Sequence, residues 1–258
     1  MLLALNINNT NISIGAFNGM ELLRSWRVHT DRDRTADEYE LTVRSLLGTA
    51  GLGLRDFTGL ILGSVVPPLT PVVARGAEGA LGIEARVVRP ESIPGTRALV
   101  DNPSEVGVDR LLNCAAVRSL YGGPAIVVDL GTATTFDVVS GEGDYLGGVI
   151  APGMGTSAEA LFRTTSQLPR IEIRRPASVI GKNTVACMQS GVYWGYAHLV
   201  RGTLEAIGRE LGGLPKVLAT GGFAQVIADA VGIVDHVNPS LTLQGLAVVH
   251  EALEDSSK

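Results

Sequence analysis

Ala125-Ile126-Val127-Val128-Asp129-Leu130-Gly131-Thr132-Ala133-Thr134-Thr135-Phe136-Asp137 is the stretch on which the reading of this chain turns. Four apolar residues, Ala125 to Val128, have the pattern of a buried strand. A lone acid, Asp129, stands at its end, and Gly131 to Thr134 supply a tight turn of small and hydroxyl residues. Phe136-Asp137-Val138-Val139 then sends the chain back as a second strand. Such a turn lets backbone N–H groups and short hydroxyls come close to an anion. An acid beside it suits a cation, or the water shell of one, set against phosphate oxygens. The same residues also fit an ordinary hairpin with a glycine turn.

A second stretch has the same shape. In Ala4-Leu5-Asn6-Ile7-Asn8-Asn9-Thr10-Asn11-Ile12, Asn6 stands where Asp129 stands, at a constant offset of 123 residues. At that offset Asn8 falls on Gly131, Asn9 on Thr132, and the turn Asn18-Gly19 on Gly141-Glu142 without a gap. Asn-Gly is itself a strong hairpin signal. Two such units at one spacing predict two similar halves facing each other, with phosphate held in the cleft between their loops.

The 258 residues suffice for one large or two ordinary domains, and 45% of them are hydrophobic, with 32 glycines for tight turns. A net charge of −5 argues against a nucleic-acid surface. Cys114 and Cys187 fall in apolar helical patterns and read as reduced core residues of a cytoplasmic protein. Met1-Leu2-Leu3-Ala4 lacks the charged start of a secretory signal, and no apolar run is long enough to span a membrane.

Taken in order, residues 2–17 predict a hairpin and 21–28 a third strand. Helix over 35–50, strand over 59–66, helix over 70–81 and a short strand at 84–88 follow. Residues 93–102 read as loop. Asn102-Pro103-Ser104-Glu105 has the form of a helix start, with helix expected from 104 to 121. The second half repeats the plan, with strands at 125–139, 145–150 and 216–220. Helices are expected from 157, over 184–211 with a break near Gly191 and Gly195, and over 241–253. The expected halves are 1–120 and 121–258, in an α/β arrangement.

Gly107-Val108-Asp109-Arg110 falls in the first turns of a helix. Asp109 there suits a base accepting a proton from a hydroxyl, and Arg110 a fork for a carboxylate. The pair equally fits an acid favouring the helix dipole and a solvated arginine. Gly221-Gly222, after an apolar strand, allows backbone to approach a nucleotide. Gly181-Lys182-Asn183-Thr184 fails as a phosphate loop, because its first glycine would be Pro176 and Asn183 follows the lysine. The four histidines show no metal-ligand spacing.

Together these segments resemble the type III pantothenate kinases of the acetate and sugar kinase/actin superfamily. The resemblance rests on Asn9-Thr10, Asn102-Pro103-x-Glu105-Val106-Gly107-x-Asp109-Arg110, Asp129-x-Gly131-Thr132, Gly147-Gly148-x-Ile150-x-Pro152-Gly153, Gly181-Lys182-Asn183-Thr184, Thr220-Gly221-Gly222 and Leu241-Thr242-Leu243. It implies two ribonuclease-H-like halves, a homodimer, and ATP-dependent phosphorylation of pantothenate towards coenzyme A. Asp109 then corresponds to the general base, and Val100, Gly107, Val108, Asp109, Arg110 and Thr184 to pantothenate contacts, Thr184 across the dimer. Asn6, Ile7, Asn8, Asn9, Thr10, Asn11, Ile12, Ser13 and Thr132 correspond to the ATP site. Asp129 corresponds to the site of a monovalent cation, potassium or ammonium, with magnesium accompanying ATP. The family carries Asp-x-Gly-Asn-Thr in the first loop, where this chain has Asn6 and Asn8, and often Tyr at Val100. Those two asparagines define an alternative, a family member that binds nucleotide or pantothenate as a regulator. At Asn8 the turn is expected to call on the tolerance of asparagine for positive φ.

Overall fold

The structure, a computed structural model, describes residues 1–255. Its chain forms two compact units. One comprises Met1–Gly122, Glu142–Tyr145 and the segment from Ser240; the other comprises Gly123–Gly141 and Leu146–Pro239.

In the first unit β1 (Leu2–Ile7) lies antiparallel to β2 (Asn11–Asn18) and parallel to β4 (Gly59–Ser64). With β3 (Glu21–His29) and β5 (Arg86–Val88) the sheet order is β3-β2-β1-β4-β5. All six residues of β1 are buried. A central strand covered on both faces carries such a continuous apolar run. Helices α1 (Ala36–Thr49) and α2 (Thr70–Leu81) cover one face, bringing Tyr39, Val43, Leu47, Val73 and Ala77 against Leu3, Leu5, Ile7 and Leu62. Thr35 and Glu38 cap α1 reciprocally. Helices α3 (Val108–Leu120) and α7 (Leu241–Asp255) pack on each other and on β4, and α7 also on β1. By chain order α7 follows the second half; by packing it belongs to the first unit.

In the second unit β6 (Ala125–Leu130) is antiparallel to β7 (Ala133–Val139) and parallel to β9 (Lys216–Thr220). The sheet order is β10-β9-β6-β7-β8, with β8 at Tyr145–Pro152 and β10 at His236–Val237. Read from the other edge, this is the order of the first sheet. β1 and β6 are offset by 123 residues at both ends, as expected. The core packs α4 (Met154–Thr164), α5 (Thr184–Glu210) and α6 (Ala224–Val231) through Ala158, Tyr196, Val200, Leu204 and Ile227.

Four helices depart from expectation: α4 begins at Met154 rather than 157, α6 matches no expected helix, and α5 and α3 differ as follows. α5 runs unbroken for 27 residues through Gly191 and Gly195. Each glycine costs about 1 kcal/mol relative to alanine, which burial of Val192, Tyr193, Tyr196, Val200 and Leu204 on the same helix offsets. α3 begins at Val108 rather than 104. Asn102 gives its amide to Glu105 Oε1 at 2.6 Å, and its oxygen accepts from Ser104 at 2.8 Å, so these side chains satisfy one another instead of the helix N-terminus. Residues 103–105 form only a 3-10 turn, and Gly107, extended at ψ 138°, precedes the helix. No helix among the described residues is long and apolar enough to cross a membrane.

Candidate active site

The two sheet-end loops are built alike but furnished differently. In the first unit Asn6 is the penultimate residue of β1, across from Ser13 and beside Gly63. It is only 4% exposed, and its Oδ1 has no hydrogen-bond partner. A Cβ on Gly63 would stand 3.8 Å from that oxygen and 2.8 Å from Leu112, so glycine keeps the space beside Asn6 open. The turn is held by backbone and by β3. Asn8 N–H donates to Asn11 O at 3.1 Å, Thr30 Oγ1 donates to Asn8 O at 2.6 Å, and Thr30 N–H donates to Thr10 O at 2.9 Å. Among the described residues no non-glycine adopts positive φ, so Asn8 sits in ordinary backbone and the turn needs no glycine there. Asn8 Oδ1 is likewise buried without a hydrogen bond. Ile7 and Ile12 point into the core and offer only backbone groups, whereas Asn9 and Thr10 are exposed.

In the second unit Asp129 is the penultimate residue of β6 and is half-buried. Gly221 follows β9 at φ +89°, and a Cβ there would stand 2.5 Å from Asp129 Oδ1. Gly221 is therefore fixed by close approach as well as by φ. Exposed Thr132 is braced from below: its carbonyl accepts Gly153 N–H at 3.1 Å and Thr156 Oγ1 at 2.7 Å. A Cβ on Gly153 would overlap the Gly131 and Thr132 carbonyl oxygens. Sequence reasoning missed this brace, because nothing in local spacing ties residue 153 to residue 132.

The third group lies at the start of α3. Gly107 flanks the helix and Val108 is buried, so both present backbone. Asp109 Oδ1 accepts Arg110 N–H at 2.9 Å and lies over Gly107, where a Cβ would stand 2.6 Å away. Burial pushes the Asp109 carboxyl above its ordinary range, only partly offset by the Arg110 N–H and its charge. The Arg110 guanidinium stacks over the Tyr145 ring, 4.9 Å from its centroid. Val100, half-buried, follows Leu99, whose N–H donates to Tyr145 O at 2.8 Å. Tyr145 thus joins the loop before Val100 to Arg110, and no motif marked it. Thr184, in the second unit, is the exposed first residue of α5, above the Asn183 cap on Ala186 N–H at 2.9 Å. Cys114 is buried as expected, but Cys187, expected in the core, is exposed, because it lies on the outer side of the first turn of α5. Among the described residues no three His, Cys, Asp or Glu side chains gather as metal ligands.

A repeated 3-2-1-4-5 sheet, with a short turn after each central strand, defines the class: the duplicated ribonuclease-H-like fold of actin-like ATPases and sugar kinases. Solved structures agree on the fold. The chain superposes with TM-score 0.56 on the activator of the 2-hydroxyisocaproyl-CoA dehydratase from Clostridium difficile, at 12% identity over 99% of this chain and 96% of that one. It superposes with TM-score 0.51 on an inorganic polyphosphate/ATP-glucomannokinase from Arthrobacter, at 16% identity over 98% of both chains.

Within that class the chain belongs to the type III pantothenate kinase family, whose model matches residues 2–206. Relatives bearing that name are 50% identical in Moorella thermoacetica, over 97% of this chain and 99% of the relative, and 45% identical in Koribacter versatilis, over 100% and 98%. The relatives are kinases by name, and the alternative of a binding-only regulator finds no support among them.

Proposed function

We propose that this protein transfers the γ-phosphoryl group of ATP to the primary hydroxyl of pantothenate, yielding 4′-phosphopantothenate for coenzyme A synthesis. The observation that carries the reading is Asp109, an acid at the start of α3 whose carboxyl is pushed up by burial beside Arg110, in a chain 50% identical to a named pantothenate kinase. A raised carboxyl is a stronger base at the same geometry, suited to taking the hydroxyl proton as phosphoryl transfer proceeds. Arg110 offers two parallel donors to the pantothenate carboxylate. Val100, Gly107 and Val108 line the substrate segment, and Thr184 contributes from a second copy of the chain.

The ATP-phosphate contacts are assigned to residues 6–13 and to Thr132, the positions that match the family's phosphate-binding residues. Asp129, a half-buried carboxylate, fits potassium or ammonium, which supplies positive charge against phosphate oxygens. Asn6 offers a neutral oxygen with no protein partner, suited to a water on magnesium that arrives with ATP. Support for a homodimer comes from exposed Ile150, Val179, Ile180 and Val185 in the second unit. Two free cysteines accord with work in the cytoplasm. The test is mass spectrometry of pantothenate incubated with the protein, ATP, magnesium and potassium. A product heavier by one phosphoryl group is expected; unchanged pantothenate would defeat the reading.

A further inference from the structure

We infer that Tyr145 is a positioning residue for recognition of the substrate carboxylate: its ring carries the Arg110 guanidinium, and an ion pair between Arg97 and Asp144 holds that ring in place. The inference rests on the functional reading above and deepens it. Every residue involved lies in the first unit.

Tyr145 is 3% exposed and is gripped through its backbone from both sides. Its N–H donates to Arg97 O and its carbonyl accepts Leu99 N–H, each at 2.8 Å, so the loop pairs with it as a one-residue parallel bridge at Ala98. The neighbouring Asp144 carboxylate is equally buried. It accepts Arg97 N–H at 2.9 Å, Arg97 Nε at 3.1 Å and Arg97 Nη2 at 2.5 Å. Two side-chain donors on one carboxylate fix its plane as well as its distance. Arg118 adds a second bolt. Its guanidinium donates to the Pro94 and Gly95 carbonyls, and its stem lies across Gly143, where a Cβ would meet it. Residues 94–99 and 143–145 are thereby locked together.

The consequence falls on Arg110. A free arginine side chain loses much rotamer entropy when it grips a carboxylate. With its Cζ 4.9 Å from the centre of a buried ring whose backbone is tied on both sides, the guanidinium has its position set before substrate arrives. The same lock sets the backbone one residue before Val100, so both sides of the substrate segment take their register from it.

Steady-state kinetics test this with two substrates, pantothenate and its alcohol analogue, in which CH2OH replaces the carboxylate. Tyr145→Leu is expected to raise KM for pantothenate by about five- to thirtyfold, leaving KM for ATP and KM for the alcohol near their starting values. Tyr145→Phe keeps the ring and is expected to recover most of that loss. Arg97→Lys keeps the charge on an exposed side chain but not the fork, and is expected to raise KM for pantothenate in the same selective way; it serves also if Tyr145→Leu does not fold. Equal losses on both substrates, or an unchanged KM for pantothenate in these variants with active wild-type protein, would overturn the role alone. Wild-type protein without turnover of pantothenate would overturn the functional reading and the role with it.

Discussion

Asn6 and Asp109 are opposite solutions to the burial of a polar side chain. Asn6 is neutral, buried, and leaves its oxygen without a protein donor, at the position where the second half carries Asp129. Asn6→Asp places a charge where nothing on the protein pairs with its Oδ1 position, and an unpaired buried charge is costly. The variant is expected to melt below wild type without magnesium, to gain more thermal stability than wild type from magnesium–ATP, and to turn over faster with a steeper dependence on magnesium. Scanning fluorimetry across a magnesium series reads the first two; equal melting curves would show that this oxygen faces neither metal nor its water. Asp109 keeps its charge in a setting that raises its carboxyl. The folded state then binds a proton more tightly than the unfolded one. The stability cost is absent below the ordinary aspartate value, near pH 3.9, and complete above the raised value. At neutral pH Asp109→Asn should therefore melt higher, by roughly 2–4 °C for each kcal/mol relieved, while activity falls. A lower melting temperature would mean that the carboxylate stabilises the fold.

At the scale of elements, function depends on where secondary structure begins. Starting α3 at Val108 puts Asp109 in the first turn, among N–H groups with no helical partner. The Asn102 to Glu105 spacing signals a capping box in sequence. Which donor the Asn102 oxygen accepts from, the Ser104 hydroxyl or the N–H that a cap would satisfy, is decided only in three dimensions, so the helix starts four residues later than the spacing implies. The central strands were readable because burial on both faces writes an uninterrupted apolar run. The continuity of α5 was not, because its glycines are outweighed by tertiary burial. Tyr145 was invisible for a similar reason: its contact with Arg110, 35 positions earlier, exists only in three dimensions. Gly153, at the start of α4, supports the Thr132 loop by leaving room for two carbonyls. Gly153→Ala is expected to weaken ATP binding by roughly ten- to a hundredfold through displacement of that loop, with little change in pantothenate affinity. Calorimetry with each ligand checks this, and an unchanged ATP affinity would remove Thr132 from the phosphate site.

At the scale of the whole molecule, the chain repeats one sheet topology and then spends the two copies differently. The first keeps Asp109 and the asparagine turn; the second keeps Asp129, Thr132 and the exposed apolar side chains Ile150, Ile180 and Val185. Exposed apolar side chains favour association when a partner covers them. Light scattering should give about twice the chain mass of 27.0 kDa at micromolar protein, and a monomer that still turned over pantothenate would contradict the shared site at Thr184. Most directly at stake is whether Asp109 takes the proton from pantothenate. The decisive measurement is the pH dependence of kcat/KM for pantothenate phosphorylation in wild type and in Asp109→Asn. Wild type should lose activity on the acid side at a pH above the ordinary aspartate value, about 3.9. Asp109→Asn should lack that acid limb and fall by roughly two orders of magnitude or more. Near-wild-type turnover in a folded Asp109→Asn protein would contradict the account.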